Sequence, residues 1–345
     1  MILNPIVGMT VQFKKVYRFD LDRVVPIEIP IDDDSEDFNE YLHQLIEAVL
    51  YDDRSKKYLF PEDPPATMGI IENLVSEQNM NDTTLDAARR LLRIEVAVQG
   101  RIEHLEREVQ KGIMVQALVE NDNQLHFLII KAEHAEFINE SDNRRATGLP
   151  IKKKIFKAFC AYIGPDGNPT HAKVSDYRTI ISAYWWRDFL ELVEEYTDAY
   201  NTERAFDVLD SKVFNRIKRD HPADHMILRN ATVQYFRGNA EFVMADYLNT
   251  VFDNYAPEDE TLDIAALSRT IRQLPERGKF DERFGIVREK LKKRIIKRLK
   301  LTSTLELVIK EDIDMNTDVS AFIEGGVKYI KIRTDEGYKF FKKEE

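Results

Sequence analysis

The chain has 345 residues, of which 43% are hydrophobic and 32% are charged, so it can bury two or three domain cores. Its single cysteine, Cys160, excludes an internal disulfide, a cysteine-based zinc site and an iron–sulfur cluster. The formal net charge of −11 would disfavour nucleic acid as a partner if the charge were spread evenly along the chain.

The first 174 residues are predicted to form an α+β domain. Alternating and short continuous apolar runs predict strands over 9–19, 24–31, 113–119, 125–132, 155–163 and 170–174. Asp32 to Ser35 caps a helix with a single apolar stripe, and a longer helix is expected over 84–110. The turn residues at 121–123 join two of the strands into a hairpin.

Residues 175–280 are predicted to form a helical domain, because apolar residues recur there at helical spacing between short loops. Residues 281–345 combine a basic segment with a closing hairpin of 305–310 and 328–333. The predicted class is therefore α+β: an N-terminal mixed sheet with helices, then a helical domain closed by a small C-terminal β-hairpin.

Charge is strongly segregated along the sequence. Asp20 to Asp63 holds 14 acidic and 4 basic residues, whereas Arg283 to Lys300 holds nine basic residues against Glu289 alone. Arg144 to Lys157 holds six basic residues and no acid. Because salt screens each patch beyond about 8 Å, an acidic chain can still present a basic face to a polyanion.

The basic segments supply the candidate DNA contacts. If 287–299 is helical, an apolar residue every four positions faces the protein and the basic residues cover the remaining circumference. The candidate DNA-binding residues are Lys290, Lys292, Lys293, Arg294, Lys297, Arg298, Lys300, Arg144, Arg145, Lys152 and Lys154. The alternatives are that these runs are solvated helix faces, or that the acidic block of the same chain neutralises them.

Catalytic and metal motifs are weak. The sequence has no phosphate-binding glycine loop, nucleophile elbow or kinase signature. His221 and His225 have metal-like spacing, but the intervening Pro222 favours a helix start, so we expect no metal and no cofactor. Glu133 and Glu136 near Lys131 leave a divalent-metal nuclease open as an alternative.

Two further features bear on binding and location. Tyr184, Trp185 and Trp186 could stack on bases, although their helical spacing favours core packing. The first ten residues lack the basic start of a secretory signal, and no apolar run could span a bilayer. We therefore expect a cytoplasmic protein without membrane association.

The order of segments resembles the bacterial nucleoid-associated protein family. The acidic helix, Lys57–Phe60, the long helix, the β segment 112–139, the helical block and the closing hairpin follow in sequence, and Lys57–Phe60 and Leu128–His134 match best. The chain is similar, more distantly, to the DNA-sensing component of a bacterial anti-phage defence system. The resemblance implies a cytoplasmic, nucleoid-located protein without enzymatic activity that acts on or near DNA, and it carries over no functional residue.

The leading hypothesis is a non-enzymatic DNA-binding protein that contacts phosphates, since no base-reading motif is recognisable. The alternatives are a DNA sensor in phage defence, a protein–protein adaptor that uses the acidic face Asp32–Asp53, and a metal-dependent nuclease. A second copy of the chain, in a homodimer, is a further possible partner.

The basic segment makes a first prediction. Changing Lys293, Arg294, Lys297 and Arg298 together to Gln should weaken binding equally on all DNA sequences. It should also flatten the log–log salt dependence by about 0.9 for each phosphate that the variant no longer binds. A filter-binding titration at several salt concentrations measures both quantities, and an unchanged slope would reject this segment as the DNA-binding region.

Overall fold

The computed structural model describes residues 8–19, 25–32, 34–102, 112–139, 144–150, 155–177, 181–291, 297–309 and 318–342. Within these ranges the chain folds as an α+β protein, as the sequence predicts. An antiparallel sheet with helices on both faces comes first, a helical core follows, and short hairpins end the chain.

The described strands of the first 194 residues are β1 (Met9–Phe19), β2 (Ile27–Ile29), β3 (Lys56–Leu59), β4 (Gly112–Asn121), β5 (Gln124–Glu133), β6 (Ala135–Asn139), β7 (Arg144–Gly148), β8 (Ile155–Ile163), β9 (Pro169–Asp176) and β10 (Val193–Glu194). Eight of them form one sheet in the order β10-β3-β9-β8-β5-β4-β1-β2, and its pairings are antiparallel. The remaining two, β6 and β7, form a separate hairpin.

Both faces of the sheet are covered by helices. Helix α1 (Glu36–Leu50) packs Leu42, Ile46 and Val49 on one face, against alternate residues of β1, β4, β5 and β8. Helices α2 (Ala66–Val75) and α3 (Met80–Ile102) cover the other face together with a π-helical turn at 184–189. This double cover explains why the central strands are continuous apolar runs in the sequence.

Tight contacts fix the central hairpin. Asp122 and Asn123 both have positive φ, 51° and 60°, so they form the two-residue turn between β4 and β5 that the sequence predicts. A Cβ on Gly112 would lie 2.1 Å from the carbonyl oxygen of Ala132, so only glycine fits at the start of β4.

Cys160 is buried in β8, and burial raises the pKa of its thiol to about 12.

Two lysines interrupt the apolar face under α3. Lys131 of β5 and Lys157 of β8 are cross-strand partners, and both are fully buried. Lys131 forms an ion pair with Glu95 of α3, and Lys157 forms one with Asp176 of β9. Burying a charge is costly unless it is paired, so each lysine requires its carboxylate.

The helical core follows the sheet. Its helices are α4 (Asp198–Leu209), α5 (Asn215–Ile217), α6 (Pro222–Gly238), α7 (Met244–Leu248), α8 (Ile264–Arg272) and α9 (Leu274–Gly278), and two short strands, β11 (Glu241–Val243) and β12 (Arg283–Gly285), pair beside them. A π-helical turn continues α4 into α5, and a second one extends α7. Phe236, Phe242 and Tyr247 pack ring against ring at its centre.

Two segments pack apart from their sequence neighbours. Trp185 and Phe189 lie in the core of the sheet, although their helical pattern groups them with the helical block. Phe284 and Leu291 lie in the helical core, although the charge pattern groups them with the basic tail.

Polar contacts join the edge of the sheet to the helical core. Lys56 of β3 donates to Glu194 at 2.6 Å and to Asp198 of α4 at 2.9 Å. Burial alone would lower the pKa of Lys56, but these two carboxylates raise it above its ordinary value. Arg54 binds Asp246 at 2.8 Å, and Arg283 donates to the Arg54 carbonyl oxygen at 2.7 Å.

The tail contains two hairpins, so the predicted pairing of 305–310 with 328–333 is wrong. Strand β13 (Lys297–Lys300) pairs with β14 (Glu306–Ile309), and β15 (Val319–Glu324) pairs with β16 (Val327–Ile332). The reason is local: Gly325 and Gly326 have φ of 56° and 82°, so they join immediate neighbours in a two-residue turn. A short helix, α10 (Asp335–Phe341), follows.

The buried pair of Lys131 and Glu95 yields a stability prediction. Glu95→Gln should lower the free energy of unfolding by about 3–5 kcal/mol, because it leaves a buried ammonium without its counter-charge. The double variant Glu95→Leu with Lys131→Met should recover more than half of that loss. Urea unfolding followed by tryptophan fluorescence measures the free energy of unfolding of each variant. Trp185 and Trp186 are the two tryptophans of the chain, and both pack in the core of the sheet.

Glu72→Gln is the matched control, because Glu72 is an exposed acid on the same helical layer. Its effect should stay within about 0.5 kcal/mol. A loss below about 1 kcal/mol for Glu95→Gln would contradict the need for the buried counter-charge.

Candidate nucleic-acid interface

The described structure locates part of the predicted DNA-binding set. Lys290 is exposed in a 3₁₀ turn at 288–291, and Arg144 is exposed at the start of β7. Arg145 also lies on β7, and β13 contains Lys297, Arg298 and Lys300. Outside the described residues lie Lys292, Lys293, Arg294, Lys152 and Lys154.

The α-helix that the sequence analysis considers for 287–299 is not found at either described end of the segment. Residues 288–291 form a 3₁₀ turn and residues 297–300 form strand β13, which pairs with β14 in antiparallel register. An apolar repeat of four does not distinguish the two structures, because residues four apart lie on one face of a strand as well as on one face of a helix. Cross-strand pairing with 306–309 supplies the backbone hydrogen bonds that a helix would supply internally.

Lys157 does not belong to a phosphate-binding run. Its side chain is 1% exposed, donates to the Ser182 hydroxyl at 2.9 Å and forms an ion pair with Asp176. A residue buried under the helical layer cannot reach a DNA backbone. Trp185 is likewise fully buried, so it is part of the core and cannot stack on bases.

Sequence reasoning missed the arginines of α3. Between Arg89 and Arg101 this helix carries four arginines and a single acid, Glu95. Glu95 is fully buried in the ion pair with Lys131, so its charge is neutralised inside the protein. The outer surface of this part of α3 therefore presents a surplus of positive charge, with Arg89, Arg93 and Arg101 exposed.

The acidic helix lies on the opposite side of the sheet. Glu36, Asp37 and Glu40 are exposed on α1, whose apolar stripe packs on the face of the sheet that α3 does not touch. With side chains, one helix is about 10–12 Å across. Two helices with a sheet between them thus separate the two charged surfaces by more than the screening length of about 8 Å.

A cleft lies where the edge of the sheet meets the helical core. This cleft of about 420 Å³ is bordered by Lys57 of β3, His171 of β9, Asp281 after the end of α9, and other residues. Lys57 is already paired with Glu195 at 2.8 Å, and burial lowers the pKa of His171 to about 4, so its imidazole is neutral at neutral pH. Because three lysines and four carboxylate residues line this cleft, it offers a polyanion no net attraction.

The described residues contain no cluster of three or more His, Cys, Asp or Glu side chains that could hold a metal ion. His221 instead places Nδ1 2.9 Å from Asp259 Oδ2 at the start of α6. Lys131, the lysine of the nuclease alternative, is buried in its ion pair with Glu95. None of the helices in the described ranges is both long and apolar enough to cross a membrane.

No protein-family model matches the chain, and no curated protein matches its sequence.

The cleft yields a pH prediction through Asp281. Burial raises the pKa of this carboxyl from 3.8 to about 6, although Asn201 donates to it at 2.7 Å. A raised carboxyl pKa means that the folded state binds the proton more tightly, so the stabilisation is present below pH 3.8 and is lost as pH rises to 6.

The native chain should lose this stabilisation as the pH rises, whereas Asp281→Asn should not. The free energy of unfolding of the variant minus that of the native chain should therefore rise by up to about 3 kcal/mol between pH 4 and pH 7. Urea unfolding followed by circular dichroism at four pH values measures this difference. Glu276→Gln, at an exposed acid of the same cleft, is the control. A difference that stays constant or reverses with pH would contradict the assignment.

Proposed function

We propose that the chain is a non-enzymatic, nucleoid-associated DNA-binding protein that holds DNA through its phosphates without strong sequence preference. The observation that carries the proposal is the separation of charge across the sheet: exposed arginines on α3 and exposed acids on α1, on opposite faces. Arginine suits this role because its planar guanidinium binds phosphate oxygens in pairs.

The charge balance explains how an acidic chain could bind a polyanion. Glu36, Asp37 and Glu40 are exposed on the α1 side, and the stretch of α3 from Arg89 to Arg101 keeps a positive surplus because Glu95 is neutralised internally. The basic segments at 144–154 and 290–300 would add phosphate contacts, and phosphate contacts position a protein without reading sequence. The same contacts would serve a DNA sensor in phage defence, which differs in what DNA binding triggers.

The test is a DNA-binding titration over a range of salt concentrations. Replacing Arg89, Arg93 and Arg101 together by Gln should weaken binding to closed circular DNA. It should also flatten the log–log salt slope by about 0.9 for each phosphate that is no longer neutralised. The fold should survive, since exposed substitutions on a helix cost little stability.

The matched control replaces Lys212, Arg216 and Lys218 by Gln, which makes the same change in net charge on exposed positions of the helical core. Affinity and slope should stay close to those of the native chain. An equal effect of both triple variants would show that net charge alone matters. Absence of DNA binding in the native chain would reject the function.

The acidic surface of α1 supports a second candidate function, an adaptor that binds a basic protein. Asp37 and Glu40 are exposed on α1. Charge complementarity of this kind steers association and depends on salt. If a basic protein binds and DNA does not, and if Asp37→Asn with Glu40→Gln weakens that binding, the adaptor is the better assignment.

A further inference from the structure

A hollow of about 640 Å³ opens between α2 and α3, next to the exposed arginines. Ala66 and Ile70 of α2, together with Val25, form an apolar wall. The residues from α3 are Asp86, Ala87, Arg89, Arg90 and Arg93, four of which are charged. Small-molecule sites are typically hollows of roughly 300–1,000 Å³ that combine apolar residues with a few polar groups.

Arg90 is held in place at the rim of the hollow. Its Nη2 donates to Glu191 Oε1 at 2.6 Å and to the Asp188 carbonyl oxygen at 3.2 Å, and its guanidinium lies 5.5 Å from the centre of the Phe189 ring. Nη1 of the same group is buried and has no hydrogen-bond partner among the described residues. Because this Nη1 is out of reach of solvent, it is the charge of the guanidinium, held in place by Glu191, that acts on the hollow.

Glu191 arranges this rim before any ligand arrives. Its Oε2 accepts a hydrogen bond of 2.7 Å from the backbone N–H of Ala66, the first residue of α2, while Oε1 holds Arg90. Its backbone has φ of 51°, a conformation that costs energy in a residue with a side chain. A positioned rim reduces the ordering cost of binding.

The charges of the hollow favour an anion. Three arginines face two acids, Asp86 and Glu191, which leaves a surplus of one positive charge. The Arg93 guanidinium has no hydrogen bond or ion pair with a described residue. Burial lowers the pKa of Arg90, Glu191 opposes this change and Arg93 adds to it, so a further negative charge would favour the charged guanidinium.

An inorganic anion would leave the apolar wall without a partner. A phosphate monoester that carries a flat ring system would place its dianion beside Arg93 and the Arg90 charge, and one face of the ring against Ile70 and Ala66. We propose that this hollow binds a nucleoside 5′-phosphate, and the choice of a nucleotide among such anions rests on the proposed DNA-binding function. The nucleotide can be free in solution or can be the 5′-phosphorylated end of a DNA strand.

The test is isothermal titration with 2′-deoxyadenosine 5′-monophosphate, deoxyadenosine and inorganic phosphate as separate probes. The monophosphate should bind at one site per chain, and each of the other two should bind at least about tenfold more weakly, because each lacks one half of the contact. Phosphate binding as tight as that of the monophosphate would overturn the nucleotide assignment. So would the absence of monophosphate binding.

Two variants and one control localise the binding. Ala66→Trp fills the hollow from an exposed position without changing charge and should abolish monophosphate binding. Arg93→Gln should weaken it by about tenfold or more through loss of a charged hydrogen bond. Arg216→Gln, at an exposed position in the helical core, should leave it unchanged. Retention of full affinity in both hollow variants would overturn the site.

DNA ends separate the two sources of the ligand. If a 5′-phosphorylated single strand binds more tightly than its 5′-hydroxyl form, and Ala66→Trp removes the difference, the hollow takes a strand end. If the strands bind equally and the monophosphate binds, the hollow takes a free nucleotide; either result supports the site.

Closed circular DNA, which has no end, reports the DNA-binding face alone. Its binding should survive Ala66→Trp. If the native chain fails to bind circular DNA, the proposed function is rejected and the hollow is not. Failure of the monophosphate alone to bind rejects the hollow.

Discussion

The central strands β4 and β5 are buried on both faces, and the rest of the N-terminal half is arranged around this constraint. A sheet with two apolar faces needs a helical layer on each, so α1 must lie on one side and α2 with α3 on the other. The lysines that break the apolar face are tolerated because Glu95 and Asp176 neutralise them. Packing at the centre thus determines which charges reach the surface.

The electrostatics follow from this layering. Asp86 pairs with Arg89, but burying Glu95 leaves no exposed acid on α3 between Arg89 and Arg101. The sheet keeps the acids of α1 on the far side. The buried ion pair therefore does more than stabilise the fold. It gives the stretch from Arg89 to Arg101 a positive surplus, on which both the DNA-binding proposal and the proposal of a nucleotide site depend.

The segment 181–198 links the two halves of the chain. Trp185 and Phe189 fill the core under α3. Two residues after Phe189, the Glu191 carboxylate accepts hydrogen bonds from the backbone of Ala66 in α2 and from Arg90 in α3. Residues 193–194 then add strand β10 to the sheet edge, and Asp198 accepts from Lys56 at the start of the helical core. One short stretch thus positions the rim of the hollow and also anchors the helical core to the sheet.

The sequence by itself determined the local elements and their class. Apolar periodicity placed α1, α6 and six of the eight strands of the sheet, but not the short strands β3 and β10. The residues at 121–123 specified a tight turn, because a turn depends on neighbours in the chain. Local patterns failed where pairing decided the outcome. The apolar repeat at 287–299 indicates a helix, but β13 pairs with β14 instead, and the two terminal hairpins close on their nearest neighbours.

Only the tertiary structure decided which charges meet solvent. In sequence, the four arginines of α3 stand among Asp82, Asp86 and Glu95, so their surplus is a single charge and is small beside the longer basic runs. The surplus becomes visible when Glu95 is found buried against Lys131, 36 residues away. The hollow is equally absent from the sequence, because Ala66, Arg90 and Glu191 are brought together by helix packing over a shared sheet. Periodicity reports which side of an element is apolar; which elements share a face, and which charges that face buries, depends on contacts between distant residues.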